Sequence, residues 1–311
     1  MYPRINRRHF ISGTAASTLV AGSGLLLSSP LAVSAAPMPT TLGNGITIGL
    51  SQYSLRQMFG DGSLDLLDYP AFARKEFGIT SIDVWDGGFP GGKLQDPGYL
   101  ADLKQRAADA GSNIFLLMSG VLDATSKTDP ERQAQAEKFY PAIDQAARLG
   151  CTYVRIFLKA PDNSADFSRE ASADASAAAL RVLADRAREQ GVVIAIEPAA
   201  SKLSSQGDYL VSVMERLQHK QCRLMPDFGK ISGDVNAATK VMMPHSAVVS
   251  AKSHDFDDKG NTSFDYFGLM KIISEAGFKG IVAIEYEGHK LGPAAGVRAT
   301  KTLIERAFAA L

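Results

Sequence analysis

Three acidic residues in this chain stand directly after short apolar runs: Glu197 in Ile196-Glu197-Pro198, Asp227 in Met225-Pro226-Asp227-Phe228-Gly229, and Glu285 in Ile284-Glu285-Tyr286-Glu287-Gly288. Taken singly, each reads as a polar residue closing a strand and facing water. Three at corresponding positions read differently, because carboxylates projecting into one space repel unless positive charge lies between them, and a divalent cation is the usual answer. Such a site binds two adjacent oxygens of a sugar, polarises a carbonyl and acidifies the neighbouring C–H or O–H. A carboxylate not committed to the cation then moves the proton. Lys252, in Val249-Ser250-Ala251-Lys252-Ser253-His254, would neutralise an enediolate oxygen or else be a surface lysine. Arg155 would bind a hydroxyl, carboxylate or phosphate, or pair with one of the acids. Trp85 and Phe89 would stack on a sugar ring or pack a loop. Tyr53, Asp83 and Asp86 are placed on the same rim to hydrogen-bond hydroxyls, and Glu287 faces the same way as Glu285, two residues on.

These side chains need elements that bring them together. Apolar runs ending in polar residues recur every 25 to 40 residues, at Ile46–Ser51, Ser81–Trp85, Ile114–Met118, Tyr153–Phe157, Val192–Glu197, Arg223–Asp227, Ala247–Lys252 and Ile281–Glu285. Helix-like patterns lie between them: Leu64–Phe77, Tyr99–Ala110, Glu131–Leu149, Ala171–Gln190, Asp208–Leu217, Phe264–Ala276 and Ala294–Leu311, several ending at a glycine such as Gly150 or Gly191. Continuous apolar strands suit a parallel sheet covered on both faces. Eight alternations therefore predict a single (β/α)8 TIM barrel over residues 42–311, whose chemistry sits where the C-terminal strand ends converge. An open doubly wound sheet is the alternative, but no G-x-G-x-x-G follows the first strand.

The pattern of Glu197, Asp227, the Ser250-Ala251-Lys252 strand and Glu285 on strands five to eight resembles the xylose isomerase-like TIM barrels. That superfamily includes sugar isomerases, ketose 3-epimerases and inosose dehydratases. The likeness covers essentially the whole chain after its first segment. It is closest to an exported, twin-arginine branch, through Ser54-Leu55, Leu149-Gly150-Cys151 leading to Arg155, Pro226-Asp227-Phe228-Gly229, and Asp255-Phe256-Asp257. The resemblance implies a divalent metal (manganese, magnesium, cobalt or zinc) held by Glu197, Asp227, a strand-seven ligand and Glu285. It also implies that Glu197 and Glu285 exchange protons on opposite faces of the substrate. The sequence departs from the family at strand seven, where Ser250 stands at the position of the usual metal histidine. Either His254 reaches back as the fourth ligand, or three carboxylates and water hold the ion, or there is no metal. Ala199 is a second departure, at a place where relatives often carry a histidine.

The start of the chain reads as an address. Asn6-Arg7-Arg8-His9-Phe10-Ile11 is a twin-arginine pattern, followed by a mildly apolar stretch and the small-residue segment Ala32-Val33-Ser34-Ala35-Ala36. Residues 1–35 are expected to form a signal peptide that engages the twin-arginine translocase and delivers a periplasmic protein; an uncleaved anchor is the alternative. Cleavage takes three of the 33 basic residues and none of the 33 acidic ones, leaving 30 against 33. A balanced charge argues against a nucleic-acid partner, and two cysteines, Cys151 and Cys222, exclude a disulfide scaffold and are expected to be free. The function expected is an enzyme moving a proton alpha to the carbonyl of an unphosphorylated sugar or keto-sugar. A lyase or hydratase working by β-elimination on the same machinery is the runner-up, and a non-enzymatic sugar-binding protein the third reading.

Overall fold

The computed structural model describes residues 41–162 and 167–311. The expected signal peptide lies outside the described residues. Eight parallel strands form one sheet: β1 (Thr47–Leu50), β2 (Ser81–Trp85), β3 (Asn113–Asp123), β4 (Tyr153–Lys159), β5 (Val193–Glu197), β6 (Cys222–Leu224), β7 (Val248–Ser253) and β8 (Ile281–Tyr286). Their order is β6-β5-β4-β3-β2-β1-β8-β7. The remaining seam, between β6 and β7, is joined by the bridges Leu224↔Ser246 and Asp227↔Ser250. The result is the expected (β/α)8 barrel, closed more thinly there than elsewhere. Pro226 supplies the reason: it has no N–H to donate, so β6 stops at Leu224, and at Pro226 only a carbonyl remains, accepting from the Ser250 N–H at 2.8 Å.

Helices cover the outside of the sheet. The single helix expected over Glu131–Leu149 is two, Asp129–Glu137 and Tyr140–Leu149. Thr128 and Glu131 cap the first in a reciprocal box, and Pro141, at the start of the second, cannot continue a preceding helix. A further helix, Val235–Met242, escapes the periodicity because it is only eight residues long; Asp234 caps its N-terminus through the Ala237 N–H. Gly150 and Gly191 end their helices in the left-handed conformation, with φ of 81° and 69°, which a side chain would disfavour. No helix among the described residues is long and apolar enough to cross a membrane.

Two apolar layers hold the barrel. Outward-facing strand residues pack under the helices, and the interior is filled by Phe115, Leu116, Met118, Ala195, Met225, Val248 and Ala283. These interior residues form the floor on which the charged residues at the C-terminal ends sit.

Candidate active site

Side chains alternate across a strand, so residues two apart share a face. With Ala195, Met225, Val248 and Ala283 inside the barrel, that period carries Glu197, Asp227, Ser250, Lys252 and Glu285 inside as well, one or two steps nearer the mouth. Register sets their neighbours. Ser250 pairs with Ala283, Lys252 with Glu285, Phe157 with Glu197, and Asp227 bridges to Ser250.

Glu197, Asp227 and Glu285 are all buried, and each offers one oxygen within 4.8 Å of the others. The Ser250 hydroxyl lies between two of them, 2.6 Å from Asp227 Oδ2 and 2.7 Å from Glu285 Oε2. A hydroxyl has one proton to donate. Both contacts are therefore satisfied only when one carboxyl group carries a proton of its own, or when a cation draws the oxygens away. Lys252, 2% exposed, sends its ammonium group to Glu287 Oε1 at 2.7 Å, with Asp227 Oδ2 at 3.3 Å and Glu285 Oε1 at 3.4 Å. Arg155 Nε stands 2.9 Å from Glu197 Oε2 as a charge contact, and its Nη1 donates to the Ser119 carbonyl at 2.7 Å. Its guanidinium lies over the Phe157 ring, 4.1 Å from the centroid.

Burial and charge act against each other here. Burial holds the Glu197 pKa well above the usual carboxylate range; Arg155 pulls it down, and Asp227 and Glu285 push it further up. Glu285 is raised as well, by burial against the pull of Lys252. Burial would lower the Lys252 pKa, yet Asp227, Glu285, Glu197 and Glu287 together hold it above its ordinary value. Burial also works against ionised Glu287, but Lys252 leaves it below the usual range. The site thus holds an ammonium and a guanidinium group beside two glutamates whose pKa values burial raises.

The donor set can be tested against a divalent ion. Four carboxylates (Glu197, Asp227, Glu285 and Glu287) are met at ion-pair distance by two cations, Arg155 and Lys252. Two negative charges are left uncompensated, which one divalent ion or two protons would balance. Three converging oxygens from hard carboxylate donors suit such an ion, so the buried triad could bind a metal.

The expected fourth ligand is elsewhere. His254 is exposed, its ring packs beside Phe264 with centroids 5.4 Å apart, and its backbone N–H donates to Thr262 Oγ1. Strand β7 ends at Ser253, so the alternation that turns Lys252 inward no longer governs His254. A second correction concerns Asp83. It is not on the rim but fully buried one step below Trp85 on the same strand face. Its Oδ1 accepts from the Gln52 N–H at 2.9 Å, while Oδ2 has no hydrogen-bond partner; burial first of all raises its pKa to about 8.

Tyr53, Trp85, Asp86, Arg155, Glu197, Glu285 and Glu287 line one mouth cavity of about 300 Å³, with Lys230 at its edge. Asp227 and Lys252 lie beneath that lining. Phe89 stands instead in an adjoining cavity. Cys151 and Cys222 are free and buried, as expected from their positions before β4 and β6. Sequence reasoning missed Ser250 as a link between acids, Gln52 as a buried support and Lys230. The two-residue period reaching back from Lys252 was the available signal for Ser250; Gln52 and Lys230, on turns after strands, had none.

Comparison with known proteins supports the fold. The sequence pattern of the xylose isomerase-like TIM barrel family matches residues 59–307. The chain belongs to that family. No curated protein matches it in sequence. Among solved structures, this family member is similar to a probable 3-DHS dehydratase from Bacillus anthracis involved in petrobactin synthesis, at 15% identity and a TM-score of 0.65 over 83% of this chain and 99% of that one. It is similar to the 3-keto-D-glucoside 4-epimerase of E. coli, at 14% identity and a TM-score of 0.61 over 84% and 99%. It also resembles the IolI protein solved with a binding zinc atom, at 15% identity and a TM-score of 0.65 over 85% and 98%. At such identities the likeness is one of fold.

Proposed function

We propose that this xylose isomerase-like barrel is a sugar isomerase or epimerase that moves a proton alpha to the carbonyl of an unphosphorylated sugar or keto-sugar. The observation that carries the reading is the convergence of Glu197 and Glu285 on one mouth cavity, with Arg155 and Lys252 fixed beside them. Abstraction next to a carbonyl needs a proton carrier and a sink for the charge that develops on oxygen. Glu285 and Glu197 are the carriers, and burial holds each above the ordinary carboxylate pKa, which favours taking up a proton. Lys252 and Arg155 hold positive charge close to those carboxylates without needing to reorganise, and Tyr53 and Trp85 orient the sugar ring. A divalent ion held by Glu197, Asp227 and Glu285 would add Lewis-acid polarisation of the carbonyl. In an epimerase the two glutamates serve opposite faces of the substrate.

A one-base β-elimination is the second reading, favoured by the Arg155 contact that ties up Glu197 and leaves Glu285 the freer carrier. Incubation of the purified protein with a panel of sugars and 3-keto-sugars in deuterated water separates the two. Deuterium at the α-carbon of recovered or epimerised sugar supports the first reading; an unsaturated product that has lost water or an alcohol supports the second. No exchange and no product with any member of the panel would leave only a binding protein. Metal content and the response to a chelator, followed by manganese, magnesium, cobalt or zinc, test the ion. Export is part of the proposal, supported by Arg7 and Arg8 in their pattern, and it favours a substrate without phosphate. Replacing both arginines with lysine should leave precursor in the cytoplasm; normal processing would remove the claim.

A further inference from the structure

Beside the mouth cavity lies a second, larger one of about 570 Å³, and the two share Tyr53 and Trp85 as walls. Proton transfer at Glu197 and Glu285 makes no use of it. Phe59, Phe89 and Leu66 line it together with Trp85, so its surface is mainly apolar, and Arg56 and Asp65 supply polar groups. Arg56 sits 4.9 Å from the Tyr53 ring centroid, and its hydrogen bonds to the Tyr53 and Tyr286 carbonyls both use Nη1.

The dividing wall is held in place by a buried support. Gln52, 1% exposed, accepts the Trp85 backbone N–H at 2.6 Å, and its own N–H reaches Asp83. The Trp85 ring meets Tyr53 edge to face at 5.1 Å. Gly87 and Gly88 let the loop fold back: a Cβ on Gly87 would lie 2.4 Å from Trp85 Cζ2, and one on Gly88 2.3 Å from Gln52 Nε2. A buried glutamine and two glycines thus serve to hold one aromatic edge between two cavities.

We infer that the substrate is a glycoside whose reacting sugar carries a carbonyl, as a keto group or at a free reducing end: that sugar occupies the mouth cavity, the glycosidic link crosses the Tyr53–Trp85 edge, and a second ring with an apolar face seats against Trp85, Phe59 and Phe89. The inference rests on the proposed sugar chemistry of the mouth and extends it to a substrate class. A site of about 300 Å³ is at the small end for a ligand pocket, and the two adjoining cavities, which share Tyr53 and Trp85, together offer a volume suited to two rings. Aromatic faces take up the C–H face of a pyranose or the face of an aryl group alike, so the second ring is a sugar or an aryl group.

Trp85 is the single tryptophan of the chain, so its fluorescence reports on this wall alone. Titrations should use glucose and galactose, the disaccharides cellobiose and lactose, and the phenyl β-glycosides of both sugars. Two-ring ligands should bind about tenfold or more tightly than the matching monosaccharide. Disaccharide preference marks a second sugar, phenyl glycoside preference an aryl group. Phe89→Ala should abolish the tenfold advantage while leaving monosaccharide affinity unchanged. If that variant is unstable, calorimetric titration of the wild type still decides through the ratio of affinities. Equal affinity for one-ring and two-ring ligands overturns the inference and leaves the proposed activity standing. No binding of any sugar overturns both.

Discussion

The two sides of the barrel mouth are built from different materials. On the side of β4 to β8, charge of low exposure predominates: Glu197, Asp227, Glu285 and the half-buried Glu287 are tied by Ser250 and Lys252 and, from the neighbouring strand β4, by Arg155. On the side of β1 and β2, Tyr53 and Trp85 meet edge to face, and the polar groups Gln52 and Asp83 are buried behind them. Charges of low exposure are expensive unless paired, so the first side is rigidly interconnected and sensitive to the loss of any member. The aromatic side gains from contact area and tolerates change in smaller steps. Chemistry and recognition are thereby separated within one opening.

That contrast can be broken most severely at Lys252. Lys252→Met removes the ammonium group shared by Asp227, Glu285 and Glu287, leaving the buried carboxylates of Asp227 and Glu285 without their cation. A loss of about 3 to 5 kcal/mol in unfolding free energy is expected from denaturant titration at pH 7. A loss under about 1 kcal/mol would show that the carboxylates are balanced in another way.

Next in size is the exchange of either glutamate for its amide. Glu285→Gln keeps the volume and removes the proton carrier, so turnover should fall about 100-fold or more with a smaller change in substrate binding. Glu197→Gln should match it if two faces of the substrate are used and retain more activity if one base suffices. Full turnover by both variants on a verified substrate would end the proton-transfer reading.

Asp83 tests the buried support of the aromatic side through pH. Its folded pKa is raised from 3.8 to about 8, so the fold favours the neutral acid. The stability this group contributes is fully present below about pH 4 and is lost as pH rises toward 8. Asp83→Asn stays neutral throughout, so the variant should gain on the wild type across that window, by on the order of 1 kcal/mol per pH unit at most. Thermal unfolding of both proteins at pH 5, 6, 7 and 8 measures it; parallel curves would show that Asp83 is not held neutral.

The smallest change belongs to the aromatic wall. Trp85→Leu should raise KM by about tenfold and leave kcat within a few-fold, because a stacking face contributes to binding rather than to the charge that develops in the reaction. A fall in kcat as large as that of the glutamate variants would erase the distinction between the two sides.

Much of this arrangement was legible along the chain. Eight alternations of apolar runs with helical patterns fit a closed parallel barrel, and the acids at or just past the ends of β5, β6 and β8 then converge on one mouth. Where the reading went astray, the missing information was spatial. Pro141 divides a continuous helical pattern, and the helix Val235–Met242 is too short to show a period. His254 looked available because it is a good metal ligand two residues past Lys252, but the strand ends before it and the chain carries it to the surface. Asp83 looked like a rim residue for its type, whereas the alternation of β2 buries it beneath Trp85.

By itself the sequence determined which residues of a strand share a face, since the two-residue period of a strand is a property of the backbone and needs no partner. It also determined that three acids would share one opening, since parallel strands in a barrel all end at the same face. Only the tertiary structure decided how that charge is distributed. Placing Lys252 against three carboxylates, Arg155 against Glu197, and Ser250 between Asp227 and Glu285 depends on the register of β7 on β8 and of β4 on β5. Register is set by packing between elements distant along the chain, and a shift of one residue would turn every one of these side chains away from the mouth.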